Sequence, residues 1–297
     1  MAKLLMIGNA TLDIIVSMDA FPIEDKKHLA LGQTFRRGGN ASNTSEVLTQ
    51  LGHDVSLVAP LADDTASETI RHSLQQRSVD LSYCPTHQNS TSPTSYILIN
   101  EKSKTRTIVH CRDLTELSYD EFNTIPLSSY DLIHFEGRNI PAVQSMMKTA
   151  GQIAGLKISC EIEKPRDDIK SLIPYADLVI FSNSYYRHTN SATMEDFFHY
   201  MRTFSDKAVL VCSRGAKGAY GQLPNQCVQH SPAFDFGPVV DTVGAGDTFN
   251  AALLASFSIS QSLQLILKNA CLLASKKVCQ HGFDGLNSFD LSPLGER

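Results

Sequence analysis

Four short apolar runs recur along the second half of the chain, and segments of helical character separate several of them. The runs are residues 132–135, 157–162, 178–181 and 209–212. Runs this short are typical of buried strands, and strands that alternate with helices form a mostly parallel sheet covered by helices on both faces. We therefore predict an α/β fold, organised as one domain over residues 1–297, because a chain of this length can bury one large core.

A second, smaller β-sheet is predicted in the first half of the chain. Residues 94–99 and 105–111 are two β-rich runs on either side of the polar turn 101–104, a pattern typical of a hairpin. Two further extended pieces, around residues 14–18 and 28–35, lie before the first predicted helix. We expect the segments 13–37 and 94–111 to form a lid over the main sheet.

The overall composition excludes several classes of function. A net charge of −5 and a pI of about 6.0 provide no basic field for nucleic acid or for an anionic membrane. No apolar segment approaches the length of a membrane span, and Asn9 and Asp13 interrupt the apolar start before it could act as a secretion signal. The seven cysteines are odd in number and include no C-x-x-C pair, so they indicate neither a disulfide framework nor a zinc site. Reduced thiols lead us to expect a cytoplasmic protein.

The most specific motif is the run 241–247, Asp-Thr-Val-Gly-Ala-Gly-Asp, which opens a helical pattern. Gly244 and Gly246, on either side of Ala245, let the backbone approach a ligand closely. The first N–H groups of a helix have no partner within it, and together with the helix dipole they attract an anion such as a phosphate. Asp247 would then be placed to take a proton from a hydroxyl that attacks the phosphate. The alternative is an acid that only complements the helix dipole.

A second motif lies near the N-terminus. Residues 37–43 read Arg-Gly-Gly-Asn-Ala-Ser-Asn and precede a helical run that ends before Gly52. The amides of Asn40 and Asn43 can both donate and accept hydrogen bonds, which suits sugar hydroxyls. Two alternatives remain at this point: a glycine-rich turn with an asparagine cap, or a glycosylation triplet at residues 40–42.

The two motifs, about 200 residues apart and in this order, resemble the signatures of the ribokinase-like (PfkB) carbohydrate kinases. The resemblance implies a ribokinase-like fold and ATP-dependent transfer of a phosphoryl group to a sugar hydroxyl. It also implies Mg²⁺, with a monovalent cation as a further candidate cofactor.

Three further runs resemble one branch of that family, the kinases that phosphorylate fructose at its 1-hydroxyl. They are Glu-Gly-Arg-Asn at 136–139, Glu-Lys-Pro-Arg at 163–166 and Gly-Phe-Asp-Gly at 282–285. The loop 211–219 departs from that branch and resembles the general nucleotide loop of the family, which leaves the sugar and the nucleotide open. The alternatives are another sugar or nucleoside kinase of the family and a non-catalytic sugar-sensing relative.

The resemblance assigns roles residue by residue. Asp247 matches the catalytic base. The residues that match the anion hole are Gly244, Ala245 and Gly246. Residues expected to contact the sugar are Asp13, Gly39, Asn40, Asn43 and, from the partner subunit, Asp25. Residues expected to contact ATP are Arg106, Ser213, Gly215 and Gly218. Glu163 is the candidate for a water-mediated contact to Mg²⁺, the alternative being a surface acid.

The lid is also expected to determine the assembly. Tyr96, Leu98, Ile108 and His110 occupy alternate positions of the two hairpin strands and are taken to give the hairpin an apolar face. Two copies that pair through this face would bury it and close two active sites, which predicts a symmetric homodimer. The alternative is a monomer whose lid folds back on its own core.

Overall fold

The computed structural model describes residues 1–103, 105–259 and 262–288. The strands in these ranges, numbered along the chain, are β1 (Lys3–Ile7), β2 (Thr11–Met18), β3 (Gly32–Gly38), β4 (Asp54–Val58), β5 (Leu61–Ala62), β6 (Thr86–His87), β7 (Thr94–Asn100), β8 (Thr105–Cys111), β9 (Leu132–Glu136), β10 (Lys157–Ile162), β11 (Leu178–Phe181), β12 (Val209–Ser213), β13 (Ala219–Gln222) and β14 (Gln229–Ser231). The α-helices are α1 (Asn40–Gln50), α2 (Thr65–Gln75), α3 (Tyr119–Phe122), α4 (Ile140–Ala150), α5 (Asn183–His188), α6 (Met194–Arg202), α7 (Ala245–Ser258) and α8 (Leu263–Lys277).

The main sheet has eight strands in the order β14-β13-β12-β11-β10-β9-β1-β4. The six strands from β12 to β4 are parallel, and β13 and β14 are antiparallel additions at one edge. The four apolar runs predicted as strands are β9 to β12, at the centre of this sheet. The predicted mostly parallel α/β architecture is therefore confirmed.

Side chains of the main sheet alternate between two cores. In β1, Leu4 and Met6 point into one core, and Leu5 and Ile7 point into the other. The first core is covered by α1, α2, α7 and α8, and the second by α3 to α6. Every strand with two buried faces needs apolar residues at successive positions, which explains why these strands read as continuous apolar runs.

The second sheet contains four strands in the order β3-β2-β7-β8. Its central pair, β2 and β7, is parallel, and the outer pairs are antiparallel. The extended piece predicted around residues 28–35 begins later, because β3 starts at Gly32 and residues 19–31 form a loop. Lys104, in the predicted hairpin turn, lies outside the described residues.

The face predicted for the hairpin is wrong. Tyr96 pairs with Val109, whereas Ile108 pairs with Ile97 and His110 with Ser95. Directly paired residues share a face, so Ile108 and His110 lie on the opposite face from Tyr96. Side chains alternate between the two faces along each strand, as predicted. The register between the two strands is set by the turn, and it differs by one residue from the predicted register, so the second strand presents its other face.

All seven cysteines are free thiols in the described part of the chain. Cys160 and Cys212 are buried within strands of the main sheet, and burial raises the pKa of the Cys212 thiol to about 12. These two thiols therefore act as small apolar core residues. Within the same ranges, no helix is both long and apolar enough to cross a membrane.

Candidate active site

Helix α7 begins at the anion-hole motif. Gly244 is its N-cap, with φ at 78°, and Ala245 donates its N–H to the carbonyl of Thr242 at 3.3 Å. The N–H groups of Gly246 and Asp247 have no acceptor among the described residues. Two unpaired donors at the positive end of a helix dipole can bind an anion, as the sequence predicts.

The two glycines of this motif have different roles. A Cβ on Gly244 would lie 2.3 Å from Cζ of Phe283, and the positive φ also disfavours a side chain. A Cβ on Gly246 would meet nothing within 4 Å. Gly244 is therefore required by the fold of the loop, whereas Gly246 keeps the approach to the helix N-terminus open.

The carboxyl of Asp247 is placed beside these donors in the first turn of α7. Its Oδ2 accepts a hydrogen bond of 2.7 Å from the side-chain amide of Asn43. Burial raises the pKa of Asp247 to about 7, and the negative charges of Glu136 and Glu163 add to that effect. The Asn43 hydrogen bond and the charge of Arg37 oppose it. A carboxylate with a pKa near neutrality is suited to act as a general base.

A buried arginine orients Asn43. Nη1 of Arg37 donates to Oδ1 of Asn43 at 2.8 Å, which leaves the amide nitrogen to face Asp247. Arg37 is held in turn by an ion pair with Glu46, and Glu46 contacts Nε of Arg77 at 3.1 Å. The arginine of the N-terminal motif thus supports Asp247 of the C-terminal motif.

The start of α1 and the ends of two strands form the floor of the cleft. Gly39 has φ at 97°, and a Cβ there would lie 2.4 Å from the carbonyl oxygen of Asn9. Glu161, at the end of β10, accepts hydrogen bonds from Asn40 at 3.2 Å and from Asn250 at 2.8 Å. Burial, together with the charges of Glu136 and Asp247, raises the pKa of Glu161 to about 8.

The structure brings most of the predicted site residues together. A cleft of about 1080 Å³ between the two sheets is lined by Asp13, Gly39, Asn40, Asn43, Arg106, Glu163, Ser213, Gly244, Gly246 and Asp247. An adjoining cavity of about 550 Å³ is lined by Ser213, Gly215, Gly218, Ala245 and Gly246. The two cavities meet at Ser213 and Gly246, next to the unpaired N–H groups.

Asp25 lies apart from both cavities in its own chain. It is exposed, with φ at 57°, in the loop between β2 and β3. Its predicted contact with a partner subunit's sugar stays a prediction.

Four further residues of the cleft region were not assigned a role from the sequence. Glu161 and Asn250 form the contact described above, and Arg36 reaches into the cleft from β3. Glu136 lies behind the cleft and accepts the N–H groups of Asn9 and Ala41 at 3.0 and 2.6 Å. Asn250 follows Asp247 by three residues in a helix, so their shared face was a usable signal. The position of Glu161 at the end of a predicted strand was another.

The acidic residues offer limited support for a metal. Within residues 1–103, 105–259 and 262–288, no group of three or more His, Cys, Asp or Glu side chains could hold a metal ion. Glu163 lines the cleft with its side chain 42% exposed, and its carboxylate lies 3.7 Å from Nζ of Lys164. A single half-exposed carboxylate fits a Mg²⁺ that keeps its waters and binds mainly to nucleotide phosphates.

Known proteins resemble this chain in both sequence and fold. The chain matches the pfkB family of carbohydrate kinases over residues 1–288. It is 33% identical to mouse ketohexokinase over 96% of this chain and 98% of the relative, and 24% identical to the ATP-dependent ribose-1-phosphate kinase of Halopiger xanaduensis over 91% and 90%. The structure of Arabidopsis thaliana ribokinase with ribose and ATP superposes with a TM-score of 0.81 at 20% identity, covering 95% and 94% of the two chains. The chain therefore belongs to the pfkB family of carbohydrate kinases and is a sugar kinase.

Proposed function

We propose that this chain is a ketohexokinase, which transfers a phosphoryl group from ATP to the 1-hydroxyl of D-fructose. The observation that carries the proposal is the position of the Asp247 carboxylate, beside the unpaired N–H groups of α7 and at the end of a cleft lined by Asp13, Asn40 and Asn43. Carboxylate and amide groups suit a polyhydroxyl substrate, and the N–H groups suit a phosphate.

In the proposed reaction, Asp247 accepts the proton of the attacking sugar hydroxyl. A bond forms between the sugar oxygen and the γ-phosphorus, and the bond from that phosphorus to the bridging oxygen of ADP breaks. The N–H groups of Gly246 and Asp247 stabilise the charge on the transferred group. Bound Mg²⁺ would neutralise phosphate charge, with Glu163 as the residue that contacts its waters.

Residues from two of the three runs that favour the fructose branch hold parts of the cleft in place. Glu136 holds the backbone of Asn9 and Ala41, next to the sugar-facing start of α1. Phe283 packs directly against Gly244 of the anion hole. The identity to mouse ketohexokinase over almost the full length of both chains adds to this support.

The lid supports the proposal of a homodimer. Seven large apolar side chains in or beside the lid are more than 40% exposed and do not line the cleft: Phe21, Ile23, Leu29, Leu31, Phe35, Tyr96 and Val109. Apolar surface of this extent marks an interaction site, and a second copy of the lid could cover it. In such a dimer the exposed Asp25 loop would reach the partner's cleft. The free thiols favour a cytoplasmic location.

A substrate panel tests the proposed function. Initial rates would be measured with D-fructose, other ketoses, D-ribose, other aldoses and nucleosides, each with ATP and with GTP. We expect the highest kcat/KM with fructose and ATP, and loss of activity in excess EDTA. Parallel assays with potassium salts and with tetramethylammonium salts would show whether the activity needs a monovalent cation. A higher kcat/KM with ribose or a nucleoside would replace the proposal with the alternative of another pfkB-family kinase, and activity in EDTA would contradict the metal requirement.

A further inference from the structure

A buried lysine lies behind the anion-hole loop. Lys277, at the end of α8, has a side chain that is 0% exposed. Its ammonium contacts three oxygen atoms: the carbonyl of Asp241 at 3.0 Å, the carboxylate of Asp241 at 3.1 Å and the carbonyl of Gln280 at 3.5 Å. Lysine is almost never fully buried without such partners, so this arrangement is a specific feature of the fold.

Asp241 is the first residue of the anion-hole motif, and it connects the lysine to that motif. Its Oδ1 accepts the N–H of Val243 at 2.9 Å, and the N–H groups of Val240 and Asp241 donate to the carbonyl of Val278 at 2.7 and 3.1 Å. The Lys277 ammonium therefore closes a set of contacts that fastens the loop before Gly244 to the end of α8.

The same ammonium lies next to the residue that supports Gly244. Nζ of Lys277 is 5.7 Å from the ring centroid of Phe283, and that ring packs against Gly244. Both sides of the loop, its start at Asp241 and its end at Gly244, thus depend on groups that contact Lys277.

Two cationic side chains flank the Asp241 carboxylate, and the negative charge of Asp247 also acts on Lys277. Nη1 of Arg36 lies 3.6 Å from the same Asp241 carboxylate, so two cationic groups face one carboxylate. Burial would raise the pKa of Asp241, but hydrogen bonds from Val243 and Lys277 and the two positive charges lower it, so the carboxylate stays ionised. Burial lowers the pKa of Lys277, and Asp241 opposes that effect. Both cationic groups lie beside the loop that would bind the transferred phosphoryl group.

We propose that Lys277 is a positioning residue for phosphoryl transfer: a built-in cation that holds the 241–244 loop and adds positive potential behind the anion hole. Three oxygens that converge on one point form the type of site in which proteins bind small cations. Here the protein's own ammonium fills that point. Since Lys277 does not line the cleft, it acts through Asp241 and Phe283 and does not touch the sugar.

The inference rests on the kinase activity of the chain and not on the identity of the sugar, so the test uses whichever sugar the panel identifies. The variants are Lys277→Ala, which leaves a space for a small cation, and Lys277→Met, which fills that space without charge. Lys276→Ala, at the neighbouring, partly exposed lysine, is the matched control. Rates would be compared in methylammonium and in tetramethylammonium at equal ionic strength and a fixed potassium concentration.

We expect kcat of Lys277→Ala and Lys277→Met to fall by roughly 10–100-fold, the range for losing a group that orients a functional site, with little change in the KM for the sugar. Methylammonium should restore Lys277→Ala in a saturable manner and should raise its melting temperature. It should have no such effect on Lys277→Met, Lys276→Ala or the wild type. If Lys277→Ala does not fold, the kcat of Lys277→Met decides the question.

A wild-type kcat in Lys277→Met would overturn the proposal. So would equal responses of Lys277→Ala to methylammonium and tetramethylammonium, or a loss confined to the KM for the sugar. None of these outcomes depends on which hydroxyl is phosphorylated, so they are distinguishable from a failure of the proposed function.

Discussion

The side-chain amide of Asn43 donates a hydrogen bond of 2.7 Å to the carboxylate of Asp247, although the two residues are 204 positions apart in the sequence. This contact joins the N-terminal motif to the C-terminal motif at one point of the cleft. Because the amide donates, it stabilises the charged form of the carboxylate, the form a general base needs. The predictions below follow from this contact and from the loop beside it.

Asp247→Asn should fold normally and lose ~10²–10⁴-fold in kcat, because an amide cannot accept the hydroxyl proton. Since the pKa of Asp247 is raised to about 7, its ionisation reduces the stability of the fold as pH rises toward 7, and the variant lacks this cost. Its melting temperature at pH 8 should therefore equal or exceed that of the wild type. Asp120→Asn, at an exposed acid of α3, is the control. Turnover close to the wild-type rate would remove Asp247 from the mechanism.

The pH profile should report the ionisation of Asp247. The carboxylate must be deprotonated to act, so kcat/KM should rise with pH and level off above an apparent pKa near 7. Glu163→Gln removes a negative charge that raises this pKa and should move the acid limb to lower pH. Asn43→Ala removes a hydrogen bond that lowers it and should move the limb to higher pH. Shifts in the same direction for both variants would contradict this assignment.

The two anion-hole glycines should respond differently to alanine. Gly244→Ala forces a residue with a side chain into the left-handed region, which costs about 1–2 kcal/mol of stability. Its methyl group would also clash with Phe283, so the variant should lower both the melting temperature and the activity. Gly246→Ala meets no atom within 4 Å and should keep or gain stability, by about 0.5–1 kcal/mol. It should still lose activity, because its methyl group would occupy the approach to the unpaired N–H groups. Thermal unfolding and initial rates of the pair separate the two effects, and an active Gly246→Ala would argue against the anion hole.

The sequence predicts the parts of this structure that depend on local patterns. The central strands are short apolar runs because both of their faces are buried. The anion-hole helix is recognisable because glycines and an acid occur in its first turn. Asp247 and Asn43 could each be proposed as site residues from their own motifs.

The remaining features depend on pairing between distant segments. Strands β13 and β14 are short and partly polar, and only their position at the sheet edge makes them strands. The hairpin register places Ile108 on the opposite face from Tyr96. The contact between Glu161 and Asn250 spans 89 residues and arises from the packing of α7 against the main sheet. Such pairings depend on turn geometry and on packing between distant segments, in addition to the periodicity within each segment.

The lid proposal predicts that Asp25 serves the partner subunit. Asp25→Ala should raise the KM for the sugar without dissociating the dimer in sedimentation. Mixed dimers of Asp25→Ala and Asp247→Asn subunits would contain one site with both defects and one with neither. Co-expressed mixed dimers should therefore be more active than either variant alone. A fully active monomer at assay concentration, or no gain on mixing, would contradict the sharing.

The position of the phosphate on the product tests the central claim most directly. Complete conversion of D-fructose with ATP, followed by ³¹P–¹H correlation NMR of the purified product, identifies the esterified carbon. The account predicts a single phosphate on carbon 1 with the wild type and, in the same reaction time, at most about a hundredth of that product with Asp247→Asn. A phosphate on carbon 6, or no turnover of fructose by an enzyme that phosphorylates another substrate, would contradict it.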